Sequence, residues 1–107
     1  MLLYGHSITG LGIGKIMRAN WNLVLDKIVT HPNIHELAVL FELLLTEEER
    51  SAISGRLKVF QVLLDGNLSQ RQIAAEYEIS IATITRCSNY LKHMTIEQRN
   101  AVRSLIL

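Results

Sequence analysis

From Met17 onward the apolar residues recur at helical spacing. Met17, Trp21, Val24, Leu25, Ile28 and Val29 share a face, which predicts a helix over residues 17–30. Pro32 breaks it. Asn33, followed three positions later by Glu36, supplies an N-cap and a capping partner for the next helix. That second helix, residues 34–45, reads IHELAVLFELLL and is apolar on nearly every side. Such a helix needs burial all round. A domain of this size has little interior to offer, so the pattern predicts that a second copy of the chain covers part of it.

The same capping signature then repeats. Thr46 with Glu49 opens a third helix over residues 47–64, carrying Ile53, Leu57, Phe60, Val62, Leu63 and Leu64. Glu47 and Glu48 suit its positive end, and Asp65-Gly66-Asn67 ends it, with Gly66 suited to a left-handed cap. Ser69 with Gln72 opens a short helix over 70–77. Glu78-Ile79-Ser80 is a tight turn, and Ser80 caps a fifth helix over 81–92. Thr95 with Gln98 opens a last one, with Ile96, Val102, Leu105 and Ile106. No stretch alternates as a strand would, so the fold class is all-α with six helices.

Residues 1–14 are rich in glycine and lack a helical period, which predicts a flexible tail ahead of a helical domain over 15–107. Met17 is a candidate natural start, because patterned sequence begins there. Gly10, Gly12, Gly14 and Lys15 resemble a phosphate-binding loop only superficially. The first glycine is one residue too close, and Ile16 stands where Ser or Thr is needed.

Composition sharpens this picture. Hydrophobic residues make up 49% of the 107 positions, more than a small monomer needs, which again points to a subunit interface. Net charge is +1, but its distribution is uneven. Residues 1–50 carry 4 Lys and Arg against 6 Asp and Glu, whereas residues 51–107 carry 7 against 4. The basic excess falls in the half with the paired short helices, where a nucleic-acid footprint belongs. The single cysteine, Cys87, allows no intrachain disulfide and fits a reducing cytoplasm. No apolar run is long enough to cross a bilayer, and the N-terminus makes a poor signal peptide.

Two short helices joined by a tight turn form a helix-turn-helix, here between Ser69 and Lys92. Ala74 provides the small residue at the helix crossing, Ile79 the apolar residue under the turn, and Ile84 the anchor of the second helix. Ile81, Ala82, Thr83, Thr85, Arg86 and Asn89 are left for outward faces. The helix start at Ile81 offers free N–H groups to a phosphate. Glu78 holds a turn position where Gly is usual, at a cost of roughly 1–2 kcal/mol for a left-handed backbone, which predicts a differently shaped turn.

The segments LLTEEER, GRLKVFQVLLDGNLSQRQIA and ISIATITRCSNYLK resemble, in order and spacing, the core of the tryptophan operon repressor family over about Trp21 to Lys92. The resemblance implies an intertwined homodimer that binds double-stranded operator DNA when L-tryptophan is present as corepressor, with no other cofactor. The positions it implies for the ligand are Arg56 and Arg86 on either face of the indole, Thr83 beside the ring, and Leu43, Leu45 and Thr46 through the backbone, the first two from the partner subunit. Guanidinium planes attract aromatic faces by about 0.5–2 kcal/mol and also pair with a carboxylate. For DNA it implies Arg71 on base edges and Gln70, Thr85 and Lys92 at backbone-contact positions, and Ser69, Ile81, Ala82, Thr83 and Arg86 complete the residues expected at the DNA.

Four positions depart from the family pattern. Cys87 replaces a usual Gly beside the indole, and Tyr90 replaces a Ser that helps hold the amino group. Asp65 and Ala74 replace basic residues, which predicts altered operator affinity or salt dependence. Two readings follow: a tryptophan-activated repressor of tryptophan biosynthesis genes, or a helix-turn-helix regulator with another ligand or none. An enzyme is not supported. His6, His31, His35 and His93 lack metal-ligand spacing, and no nucleophile–base set stands out.

Overall fold

A computed structural model describes residues 10–31 and 33–107. The described residues form six helices and no strand: α1 (Gly10–Val29), α2 (Ile34–Leu44), α3 (Glu47–Asp65), α4 (Gln70–Tyr77), α5 (Ile81–Lys92) and α6 (Ile96–Ile106). They fall into two units, one ending at Leu45 and one running from Thr46 to Leu107.

Of the tail expected over residues 1–14, residues 1–9 lie outside the described residues. Residues 10–14 already belong to α1, so the helix begins seven positions before Met17. Extending a formed helix gains a hydrogen bond for each residue fixed, whereas starting one does not. The absence of an apolar period therefore does not stop α1 at Met17.

In the first unit, Asn33 caps α2 by accepting the Glu36 N–H at 2.9 Å. The reciprocal half of the box does not form. Glu36 instead faces the imidazole of His31, with Oε1 3.4 Å from Nδ1. A ring N–H at that distance competes with the backbone N–H for the carboxylate. The apolar face of this unit is left open. No residue of α2 is buried, Val39 and Leu43 are 69% and 80% exposed, and Trp21 on α1 is 59% exposed.

The second unit is organised around α3, which packs on α4, α5 and α6. Its boundaries follow the capping residues. Thr46, Ser69 and Thr95 each form a reciprocal box with Glu49, Gln72 and Gln98. Gly66 ends α3 in the left-handed region at φ 73°, where a side chain would be strained. The core is Val59, Val62, Ile73, Ile84 and Cys87, ringed by Phe60, Leu63, Leu68, Ala74, Tyr77 and Ile79. α6 runs antiparallel to α3: Gln61 Nε2 donates to the Ile106 carbonyl at 2.8 Å, and Arg103 Nη2 donates to the Leu64 carbonyl.

Candidate functional site

α4 and α5 form the helix-turn-helix. Ile73 and Ile84 are fully buried, one from each helix, and pin the pair to Val59 of α3. Ala74 and Ile79 pack against that core. The turn has the ordinary left-handed shape after all: Glu78 adopts φ 54°, ψ 45°. The expectation of a different turn is thus corrected. Burial of Ile79 beneath the turn offsets a local strain of about 1–2 kcal/mol. Lys58 Nζ sits 5.7 Å from the centre of the Tyr77 ring, a cation–π contact that ties α3 to α4.

The outward face of the motif carries the residues expected to meet DNA. Ser80 caps α5, accepting the Thr83 N–H at 3.2 Å and donating its hydroxyl to Thr83 Oγ1 at 2.9 Å. The N–H groups of Ile81 and Ala82 remain at the positive end of the helix, the usual place for a phosphate oxygen. Arg71, Ala82, Thr85, Arg86 and Lys92 are exposed, and Ile81 is half exposed. Gln70 is partly buried, and its Oε1 accepts the Thr85 hydroxyl at 3.2 Å. Ser69 is engaged with Gln72 in its capping box, at 3.1 Å and 2.8 Å.

Behind this face, between α3 and α5, lies a cavity of about 430 Å³ lined by Arg56, Phe60, Thr83, Arg86, Cys87, Asn89, Tyr90 and His93. Helical geometry assembles it. Arg56 and Phe60 are four apart on α3, while Thr83, Arg86, Cys87 and Tyr90 follow the i, i+3, i+4, i+7 pattern on α5. Five of the expected ligand residues therefore come together: Arg56, Thr83, Arg86, Cys87 and Tyr90. Thr46 is outside this lining and serves as the N-cap of α3, and Leu43 and Leu45 belong to the first unit.

The lining is apolar with a cationic rim. Two guanidinium groups bear on it and no carboxylate does. Phe60 and Tyr90 meet edge to face at 6.2 Å, so Tyr90 builds one wall. Burial pushes the Cys87 thiol above its ordinary pKa, and the charges of Arg56 and Arg86 offset part of the rise. The thiol therefore stays protonated near neutral pH, a small hydrophobic surface and a poor nucleophile. His93 Nδ1 lies 2.7 Å from the Asn89 carbonyl, which places a proton on Nδ1. An arrangement of this kind suits a flat apolar group with an attached anion, held by stacking and by charge.

Phe60, Asn89 and His93 were not singled out for the cavity by sequence reasoning. Phe60 reads as core, Asn89 as surface and His93 as a helix end. The available signal was spacing, since they stand four from Arg56 and three and seven from Arg86.

His31 and His35 share a separate surface depression with Glu36, Val39, Leu40 and Leu43. Among the described residues no group of three or more His, Cys, Asp or Glu side chains could hold a metal ion. No helix among them is long and apolar enough to cross a membrane.

A helix-turn-helix braced on a longer helix, with a cationic, apolar cavity behind its second helix, defines a DNA-binding regulator with room for a small molecule. Comparison with known proteins makes this specific. The model of the Trp repressor protein family matches residues 19–106. The chain is 36% identical over 89 residues to the Trp operon repressor homolog of Vibrio cholerae serotype O1, covering 83% of this chain and 86% of that protein. It is 37% identical over 86 residues to the Trp operon repressor homolog of Aliivibrio fischeri, covering 80% of each. A third protein of that name, from Vibrio atlanticus, is 32% identical over 88 residues, covering 82% of this chain and 90% of its own length. The chain belongs to the Trp repressor family, a family of DNA-binding transcriptional repressors with a helix-turn-helix.

Proposed function

We propose that the protein is a cytoplasmic, homodimeric repressor whose operator binding is switched on by L-tryptophan, and that it regulates genes of tryptophan biosynthesis. The observation that carries this reading is the cavity between α3 and α5, with Arg56 and Arg86 brought to one apolar space from different helices. An indole ring stacked between the two guanidinium groups, with its carboxylate in reach of one, fills that space with matching chemistry. The open apolar face of α1 and α2 supports a second copy of the chain as its cover. Leu43 and Leu45 of the partner subunit, together with Thr46, would then complete the ligand's surroundings through their backbone.

The mechanism is one of spacing. Two motifs related by a two-fold axis enter successive major grooves only when about 34–36 Å apart. A ligand wedged beside the second motif helix holds that helix outward, and it favours the DNA-competent state by its differential affinity. Arg71 then reads base edges. Ser69, Gln70, Thr85 and Lys92 meet the backbone, together with the start of α5 at Ile81, Ala82 and Thr83. Arg86 serves both the cavity and the DNA face.

A second reading, a regulator with another ligand or none, is favoured by one feature. Tyr90 leans on Phe60 inside the cavity and Cys87 lies in its lining, so part of the space is already taken. A gel shift on a palindromic duplex separates the two. The first reading requires retardation that depends on added L-tryptophan, and the second requires retardation that ignores it.

A further inference from the structure

A separate cavity, of about 370 Å³, opens where the C-terminal ends of α3 and α5 meet α6. Its lining is Leu63, Leu64, Ser88, Leu91, Lys92, Arg99 and Arg103, so it holds three cations and no carboxylate. Among the described residues none of the three is in an ion pair, and the Ser88 hydroxyl has no partner. Two of the cations are held in place. Arg99 Nη2 donates to the Leu91 carbonyl at 3.2 Å, and Arg103 Nη2 donates to the Leu64 carbonyl at 2.6 Å.

Those carbonyls belong to the negative ends of two helices and would by themselves repel an anion. The arginines cover them. A guanidinium has several N–H donors in a rigid fork, and each of these spends a single one on a carbonyl. The remainder, with the Lys92 ammonium and the Ser88 hydroxyl, face the cavity with no acid to neutralise them. Convergent, positioned donors of this kind match a tetrahedral oxyanion, which arginine grips through two bonds at once.

We propose that this cavity binds a phosphate group, with Lys92, Arg99 and Arg103 as its cationic ligands and Ser88 as a neutral donor. The group has two possible sources, a free phosphate ion or a phosphate of the DNA backbone. The DNA source rests on the function proposed above and would extend the DNA-contacting surface from α5 onto α6. The free-ion source is independent of it.

The test has two arms, both on the full chain. In the first, inorganic phosphate is titrated while amide and arginine side-chain NMR signals are followed, with sodium chloride at equal ionic strength as control. Saturable shifts at Ser88, Lys92, Arg99 and Arg103 are expected, weakened about three- to tenfold by Lys92→Gln, a change that removes one charge-assisted bond. Arg99→Gln should weaken them as well, and Arg99→Lys should weaken them less, since it keeps the charge but loses the two-bond grip. Because Lys92 holds no backbone carbonyl, its variant keeps the test readable if loss of Arg99 disturbs the fold.

In the second arm, duplex binding is measured against salt for the wild type and Arg99→Gln. A DNA source predicts a log–log slope reduced by about 0.9 for the lost phosphate contact, and a free-ion source predicts an unchanged slope beside saturable phosphate shifts. Shifts no different from those in chloride, together with an unchanged slope, would overturn the proposal.

Discussion

The Thr85 hydroxyl donates to Gln70 Oε1 at 3.2 Å, joining the second helix of the helix-turn-helix to the first turn of its neighbour. Both residues stand on the face expected to meet the DNA backbone, so the bond links the two helices on that face. A bond at a solvent-exposed hydroxyl contributes about 0.5–1.5 kcal/mol. Thr85→Val and Gln70→Ala should each cost up to that amount in urea unfolding. The double variant should cost less than the sum, because the second change removes a bond already lost. Strict additivity would show that the two side chains do not act together.

Glu78 occupies the left-handed region at φ 54°. A non-glycine residue there costs about 1–2 kcal/mol, while glycine loosens the unfolded chain by about 0.4–1 kcal/mol. The larger effect wins. Glu78→Gly should stabilise the protein by up to about 1 kcal/mol, and Glu78→Val should destabilise it. Urea unfolding midpoints give both signs directly.

Asp65 is an exposed acid at the last position of α3, the end of a helix that favours positive charge. Asp65→Arg should therefore raise stability by about 0.3–1 kcal/mol and, under the proposed docking, tighten DNA binding with a steeper salt dependence. Thermal melts report the first effect and gel shifts the second. A stability gain with no gain in DNA affinity would place Asp65 away from the phosphates.

Cys87 gives a chemical probe of the cavity. Its raised pKa comes chiefly from burial. Alkylation by iodoacetamide should be slow at neutral pH, with a pH–rate midpoint above the free-cysteine value of about 8.5. The sign for stability follows from the same shift. Between the unfolded and folded pKa values the unfolded chain holds fewer protons, so stability from this group is complete below about pH 8.5 and is lost as pH rises through the folded value. L-tryptophan should slow the alkylation further. Equal rates with and without it would separate the ligand from the cavity.

The helices α4 and α5 were legible in the sequence to the residue, because Ser69, Ser80 and their partners state where each begins. The start of α1 was not, since a run containing Gly10, Gly12 and Gly14 carries no apolar period, and extension of an existing helix needs none. Val59, fully buried at the centre of the second unit, was passed over in favour of Phe60. The reason is that α3 turns different flanks toward α4, α5 and α6, and no single stripe describes such a helix. Five of the eight residues that line the cavity came from the family resemblance. The other members, Phe60, Asn89 and His93, depend on how α3 crosses α5, which a linear pattern does not contain.

The proposed function turns on a clamp of two guanidinium groups, those of Arg56 and Arg86, around an aromatic amino acid. Calorimetric titration of L-tryptophan into the full chain, beside the Arg56→Ala and Arg86→Ala variants, tests it most directly. Saturable binding to the wild type is expected, with a loss of at least about tenfold in each variant, equivalent to about 1.4 kcal/mol, and unfolding midpoints little changed. Absence of binding to the wild type, or undiminished affinity in both variants, would contradict it.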